Sequence, residues 1–189
     1  MPDKPYNSGL VAEASQLASL YSRSGKYGPA ESPYRRIGVA RQDTLGPCNS
    51  KTLESYIKVI QMFDCKGRYS EAAILHQDLN PRIQAFCNPW DDLALRAKTL
   101  LAALQGFLDK DDDAEILQRE VLKITLSEFG QRYKKTLQAM RQLGCTMRSR
   151  NQYAQSEQLL STALQIARKV TRDMDSDLYY NKLYLSHVL

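Results

Sequence analysis

The sequence predicts an all-α protein, a solenoid of stacked antiparallel helix pairs, on three observations. The chain aligns with itself at a constant 42-residue step, apolar residues within each step recur at three and four, and small residues return to the same columns. Tyr27, Tyr69, Asp111 and Tyr153 follow one another at that step, inside the fragments SGKYGPAE, KGRYSEAA, DKDDDAEI and SRNQYAQSE. No insertion or deletion is needed across four repeats.

The first helix of each unit carries the apolar columns Val11, Leu53, Leu95, Leu137 and Leu17, Val59, Leu101, Leu143, Leu185. The second opens on the small column Ala30, Ala72, Ala114, Ser156, which faces Ala18, Ala102 and Gly144, with Ile60 as the exception, where two helices must approach closely. A lone helix pair cannot bury its own apolar face, so the units must stack. We read a flexible tail over residues 1–7, then a single array with units at about 8–49, 50–91, 92–133 and 134–175, and a partial fifth unit over 176–189.

Two prolines interrupt the pattern. Pro33 falls within the second helix of unit one, and Pro81 in DLNPRIQAF is expected to break the second helix of unit two after about Asn80, since a proline lacks the N–H and its ring clashes with the preceding turn. Trp90 in CNPWDD is expected to pack over the junction to unit three, with an exposed anchor for a partner as the alternative. The segment 177–189, DLYYNKLYLSHVL, matches a fifth first helix with no second helix after it. Its Leu183, Leu185, Val188 and Leu189 make it a candidate for self-association, and a homo-oligomer through this helix is one expectation.

The acidic stretch DKDDDAEILQRE, Asp109 to Glu120, carries most of the calcium-loop pattern of the EF-hand, with Asp at positions one, three and five and Glu at twelve. Position six is Ala114 where that loop requires glycine, and the 42-residue register makes 109–113 a turn with a helix from Ala114 to about Glu128. No metal site is expected, since Cys48, Cys65, Cys87 and Cys145 are widely spaced and share no short motif with His76 or His187.

These residues resemble the tetratricopeptide repeat, and more closely its long form of about 42 residues seen in kinesin light chains and in the C-terminal arrays of some nucleotide-binding switch proteins. The resemblance rests on LASLY (Leu17, Ala18, Tyr21), LGCTM (Leu143, Gly144, Met147), the turn signature in GKYGPAE and NQYAQSE, and helix ends at Leu45-Gly46 and Phe129-Gly130. It covers about Ser8 to Leu189 and implies a right-handed superhelix whose concave groove is lined by the first helix of each pair. Carried over position by position, the groove is offered by Glu54, Ile57, Gln61, Asp64 and Cys65, then Arg96, Thr99, Ala103, Gly106 and Phe107, then Gln138, Arg141, Cys145, Arg148 and Ser149. The candidates we single out are Glu54, Gln61, Arg96, Gln138, Arg141 and Arg148. The Lys and Asn pairs of the family's carboxylate clamp are replaced by Ser15, Ser19, Ile57 and Gln61, which disfavours a chaperone-tail ligand.

Function then follows by exclusion and charge. No phosphate loop, HExxH or GxSxG is present, so the sequence points to a non-catalytic scaffold without a cofactor. The net charge is +5, and residues 131–189 hold 10 Lys and Arg against 4 Asp and Glu, which suits an acidic peptide segment of a protein partner. A repeat that reads nucleic acid needs a matching residue in every unit, yet the column Ser15, Ile57, Thr99, Arg141 is basic once, so nucleic acid is disfavoured. A regulatory or oligomerising fragment of a longer relative is the alternative. With no apolar run of membrane length and no leader-like start, the chain is expected in the cytoplasm, with the nucleus also open.

Overall fold

A computed structural model describes residues 8–173, and among these it holds eight α-helices and no strand. They are α1 (Ser8–Arg23), α2 (Tyr27–Leu45), α3 (Ser50–Cys65), α4 (Tyr69–Phe86), α5 (Asp92–Phe107), α6 (Asp111–Phe129), α7 (Lys134–Ser149) and α8 (Tyr153–Asp173). Successive odd helices begin 42 residues apart, and so do successive even ones. The described helices gather into two compact units that divide between Leu108 and Asp109, the first holding α1 to α5 and the second α6 to α8.

The turn inside each pair explains why the period is strict. Gly25, Gly67, Asp109 and Asn151 share one column and all have positive φ, between 57° and 75°. At three of these sites the helix closes with paired backbone bonds, as when Lys26 N–H reaches Tyr21 O at 2.9 Å and Gly25 N–H reaches Ser22 O at 3.1 Å. Arg68 to Phe63 and Gln152 to Met147 repeat the longer bond at 2.9 Å. Such a left-handed closure suits Gly and is tolerated by Asn and Asp. Asp109 is therefore the reversal residue of its turn, and α6 begins at Asp111, three residues before the expected start at Ala114. Asp111, Asp112 and Asp113 lie in its first turn, where the helix dipole favours negative charge.

The small columns are the packing core. Ala30, Ala72, Ala114 and Ser156 are all buried, and so are Ala18, Ala102 and Gly144. A Cβ added at Gly144 would meet Leu160 at 2.6 Å, so that site has no room even for alanine without movement of Leu160. Beneath it the Ser156 hydroxyl donates to the Gly144 carbonyl at 2.7 Å, satisfying a buried polar group. Leu53, Ile57, Ile60, Leu79 and Leu104 fill the first unit, fully buried.

Helix α4 corrects one expectation, because it runs unbroken through Pro81, and α2 likewise runs through Pro33. Pro81 sits on the exposed side, while Ala72, His76, Leu79 and Ile83 form a continuous buried stripe on the other. One backbone bond is forfeited on the solvent side, where helices already tolerate longer bonds, and burial on both flanks holds the helix together. Trp90 lies in the turn before α5 and keeps 44% of its surface exposed.

Candidate partner-binding face

In the first unit α3 is buried on most of its circumference, from Thr52 and Leu53 through Ser55, Ile57, Val59, Ile60, Met62 and Phe63. That leaves one open strip, Glu54, Lys58, Gln61 and Asp64 with Cys65, spaced at three and four along the helix. Ile57 is not part of it. It is 0% exposed in the core, a correction to the groove set, and Lys58 takes the adjacent place on the strip. The missed signal was local, since an Ile flanked at three by Ile60 and at four by Leu53 reads as core rather than wall.

The first unit brings two of the single candidates together. Arg96 on α5 lies 3.5 Å from Glu54 on α3 and 3.4 Å from Asp92 one turn back on its own helix. Lys58 is half-buried, and desolvation, followed by the positive charge of Arg96, lowers its pKa. Gln61 is half-buried one turn further on. At the far end the Asp64 carboxyl is pushed up by burial.

In the second unit the open strip of α7 is of opposite character. Gln138 and Arg141 are half-buried, while Cys145 and Arg148 are exposed, again at three and four. Their inner side is made by Thr136, Ala139, Met140, Leu143 and Met147, all buried. Another group of charges on this unit is structural. Glu115, buried on α6, receives Arg150 and Arg119, the latter at 2.7 Å, and Arg150 also pairs with Asp112. Burial raises the Glu115 pKa, but the hydrogen bonds from Arg119 and Arg150 outweigh it and leave the carboxyl below its ordinary value.

A matching cluster in the first unit, 84 residues earlier, joins Glu31 to Lys66 at 2.8 Å, Arg68 at 2.9 Å and Arg35 at 3.6 Å. These clusters were not anticipated, although Glu31, Arg35 and Lys66 recur as Glu115, Arg119 and Arg150 at twice the repeat step. The self-association candidates Leu183, Leu185, Val188 and Leu189 lie outside the described residues. Among the described residues no group of three or more His, Cys, Asp and Glu is placed to hold a metal ion, and no helix is long and apolar enough to cross a membrane.

Comparison with known proteins agrees with this architecture. Residues 136–171 match the family model of the tetratricopeptide repeat. The fold is similar to two crystal structures of nearly identical TPR-like repeats from a Podosopora anserina protein described as a kinesin light chain, one of them a point variant of the other. Each gives a TM-score of 0.74 at 17% identity over 84% of this chain and 75% of the other. It is also similar to BtubC (BKLC) from P. vanneervenii, with a TM-score of 0.74 at 23% identity over 85% of this chain and 63% of that one. No curated protein matches the chain in sequence. With a 42-residue helix-pair step, a left-handed reversal inside each pair and a matched repeat over α7 and α8, the described chain has the fold of the long, kinesin-light-chain-like tetratricopeptide repeat, and residues 136–171 carry one such repeat.

Proposed function

We propose that the protein is a non-catalytic interaction scaffold, and that the open strip of α7 docks an acidic peptide or helical segment of a partner protein. The repeat is one that generally mediates protein–protein interaction and whose scaffolds are generally not enzymes. The observation that carries the reading is the row Gln138, Arg141 and Arg148, which offers two guanidinium groups along one helix face. Two positions seven apart are about 10 Å apart along a helix, a spacing that an extended acidic segment spans with three or four residues. Forked guanidinium donors suit carboxylates better than point charges do. Four unpaired cysteines are consistent with a reducing compartment, so we place the scaffold in the cytoplasm.

The test is affinity capture from native lysate with and without nuclease, comparing wild type with the double variant Arg141→Glu/Arg148→Glu. A defined protein captured by the wild type and lost on charge reversal is the expected result. Recovery of the same proteins by both forms overturns the α7 assignment, and material recovered only without nuclease would favour a nucleic-acid ligand instead.

A further inference from the structure

Asp64, in the last turn of α3, is the one carboxylate on the open strip of the first unit that lacks an answer. Glu54 faces Arg96, but no hydrogen bond or ion pair reaches the half-buried Asp64 carboxylate among the described residues. The placement is unfavourable twice over. A helix C-terminus repels negative charge, and the partial burial that raises the Asp64 pKa is not offset by a cation. Cations stand two and four residues further along the chain, yet both are engaged elsewhere. Lys66 and Arg68 are turned to Glu31 at 2.8 and 2.9 Å, and the Arg68 guanidinium also lies over the Phe63 ring, 4.4 Å from its centroid.

A second observation lies at the same end of the unit. Phe107 ends α5, as Cys65 ends α3, and its ring is stacked on Tyr69 with centroids 4.3 Å apart and planes within 8°. Tyr69 opens α4, five residues after Asp64. The stack covers one face of Phe107 and leaves 55% of the residue exposed. A carboxylate without a cation and a half-exposed aromatic ring thus share one end of the helix layer.

We propose that this end of the first unit is a docking subsite for a basic segment of a partner protein, with a Lys or Arg side chain meeting Asp64 and a neighbouring apolar side chain covering Phe107. The inference rests on the reading that first-helix faces are the binding surface, but it assigns this subsite a ligand of opposite charge to that of α7. A cation brought to Asp64 would be held by a charge-assisted hydrogen bond in a partly dry setting, where such bonds are strongest.

The probe is the blocked dipeptide acetyl-Phe-Arg-amide, titrated into the full isotope-labelled chain and followed by amide chemical shifts. Expected are shifts concentrated at residues 64–69 and 105–108, weaker by at least about fivefold with acetyl-Phe-Glu-amide, as loss of a charge-assisted bond requires. They should be abolished in Asp64→Asn and retained in Arg141→Glu/Arg148→Glu. Equal responses to the two dipeptides, shifts spread over other helices, or binding retained by Asp64→Asn would overturn the proposal. Thermal unfolding without probe separates a structural role, because removing an unanswered charge should leave the midpoint unchanged or higher, and a clear fall would also overturn it. If the α7 charge reversal abolishes capture while the dipeptide finds no site, this subsite fails alone.

Discussion

The joint between α2 and α3 and the joint between α6 and α7 are made alike, and the joint between α4 and α5 is made differently. At the first two, the second helix ends on a glycine of positive φ, Gly46 at 90° and Gly130 at 77°. A threonine hydroxyl then closes each turn, Thr52 donating to Gly46 O at 3.0 Å and Thr136 to Gly130 O at 2.8 Å. Glu31 and Glu115 tie the same helices to the next turn through Lys66, Arg68 and Arg150. In the middle joint Cys87 is extended, Ala94 stands at the threonine position and Ala73 at the glutamate position. Its polar link is His76, fully buried, whose Nε2–H donates to Ala97 O at 2.9 Å while Nδ1 has no partner among the described residues. The backbone step is the same at all three joints, so the repeat geometry is carried by apolar columns and left-handed turns, and polar fixation is free to vary over it.

Breaking the middle joint through its apolar contacts should have the largest effect. Leu79 is 0% exposed on α4, one turn from His76 and two residues before Pro81. Leu79→Ala is expected to cost about 2–5 kcal/mol in denaturant unfolding, from lost burial and the cavity left behind. Because that burial is what carries α4 across Pro81, the variant should also lose helical circular dichroism in proportion beyond one residue. A loss below about 1 kcal/mol, with the spectrum unchanged, would mean that α4 does not depend on its buried stripe.

Acid should separate the two kinds of joint. Burial depresses the His76 pKa below 6.5, more than its bond to Ala97 restores. The folded state therefore binds fewer protons at this site than the unfolded chain, and the stability His76 contributes is present above pH 6.5 and is lost as pH falls below it. Glu31 is raised by burial, but hydrogen bonds and charge from Lys66 and Arg68 bring it below 4.5, and Glu115 follows the same balance. Their stabilisation is full above pH 4.5 and disappears as pH drops through their lower folded values. Stability should thus fall in two stages. Glu31→Gln/Glu115→Gln should cost about 1–3 kcal/mol at neutral pH, by leaving partly buried donors with a weaker acceptor, and should flatten the second stage alone. His76→Gln should flatten the first. A single transition insensitive to either change would remove the distinction between the joints.

Much of this was legible from the residues, for a physical reason. The 42-residue step is written in positions where substitution is sterically costly, namely the small column beside Gly144 and the left-handed turn column at Gly25, Gly67, Asp109 and Asn151. The register and the missing loop glycine placed the acidic run at a turn rather than in a calcium loop, but set the helix start at Ala114 where α6 begins at Asp111. What escaped was tertiary. Continuity of α4 through Pro81 depends on burial of the opposite face, and the burial of Ile57 depends on which neighbours surround α3. The 84-residue recurrence of the ion clusters was present in the letters, but charged residues at a repeat position imply pairing only when the helix and the next turn are known to meet.

The smallest expected effect sharpens the comparison most. Thr52→Val and Thr136→Val remove a hydroxyl without much change of volume, leaving the glycine carbonyl of the turn with one donor fewer. Each should cost about 0.5–1.5 kcal/mol, the value of one net hydrogen bond. Both threonines are fully buried, and Thr136 should be the costlier of the two, since its hydroxyl also lies 3.1 Å from Thr125 O as a second acceptor. The middle joint supplies the control. Ala94 occupies the same column, and the carbonyl of Asn88 there already accepts from Asp91 N–H at 3.0 Å. Ala94→Thr should give no gain, because the site is buried and the added hydroxyl and methyl must crowd a packed position. A gain there equal to the losses at Thr52 and Thr136 would show instead that the three joints are interchangeable and that their different chemistry is incidental.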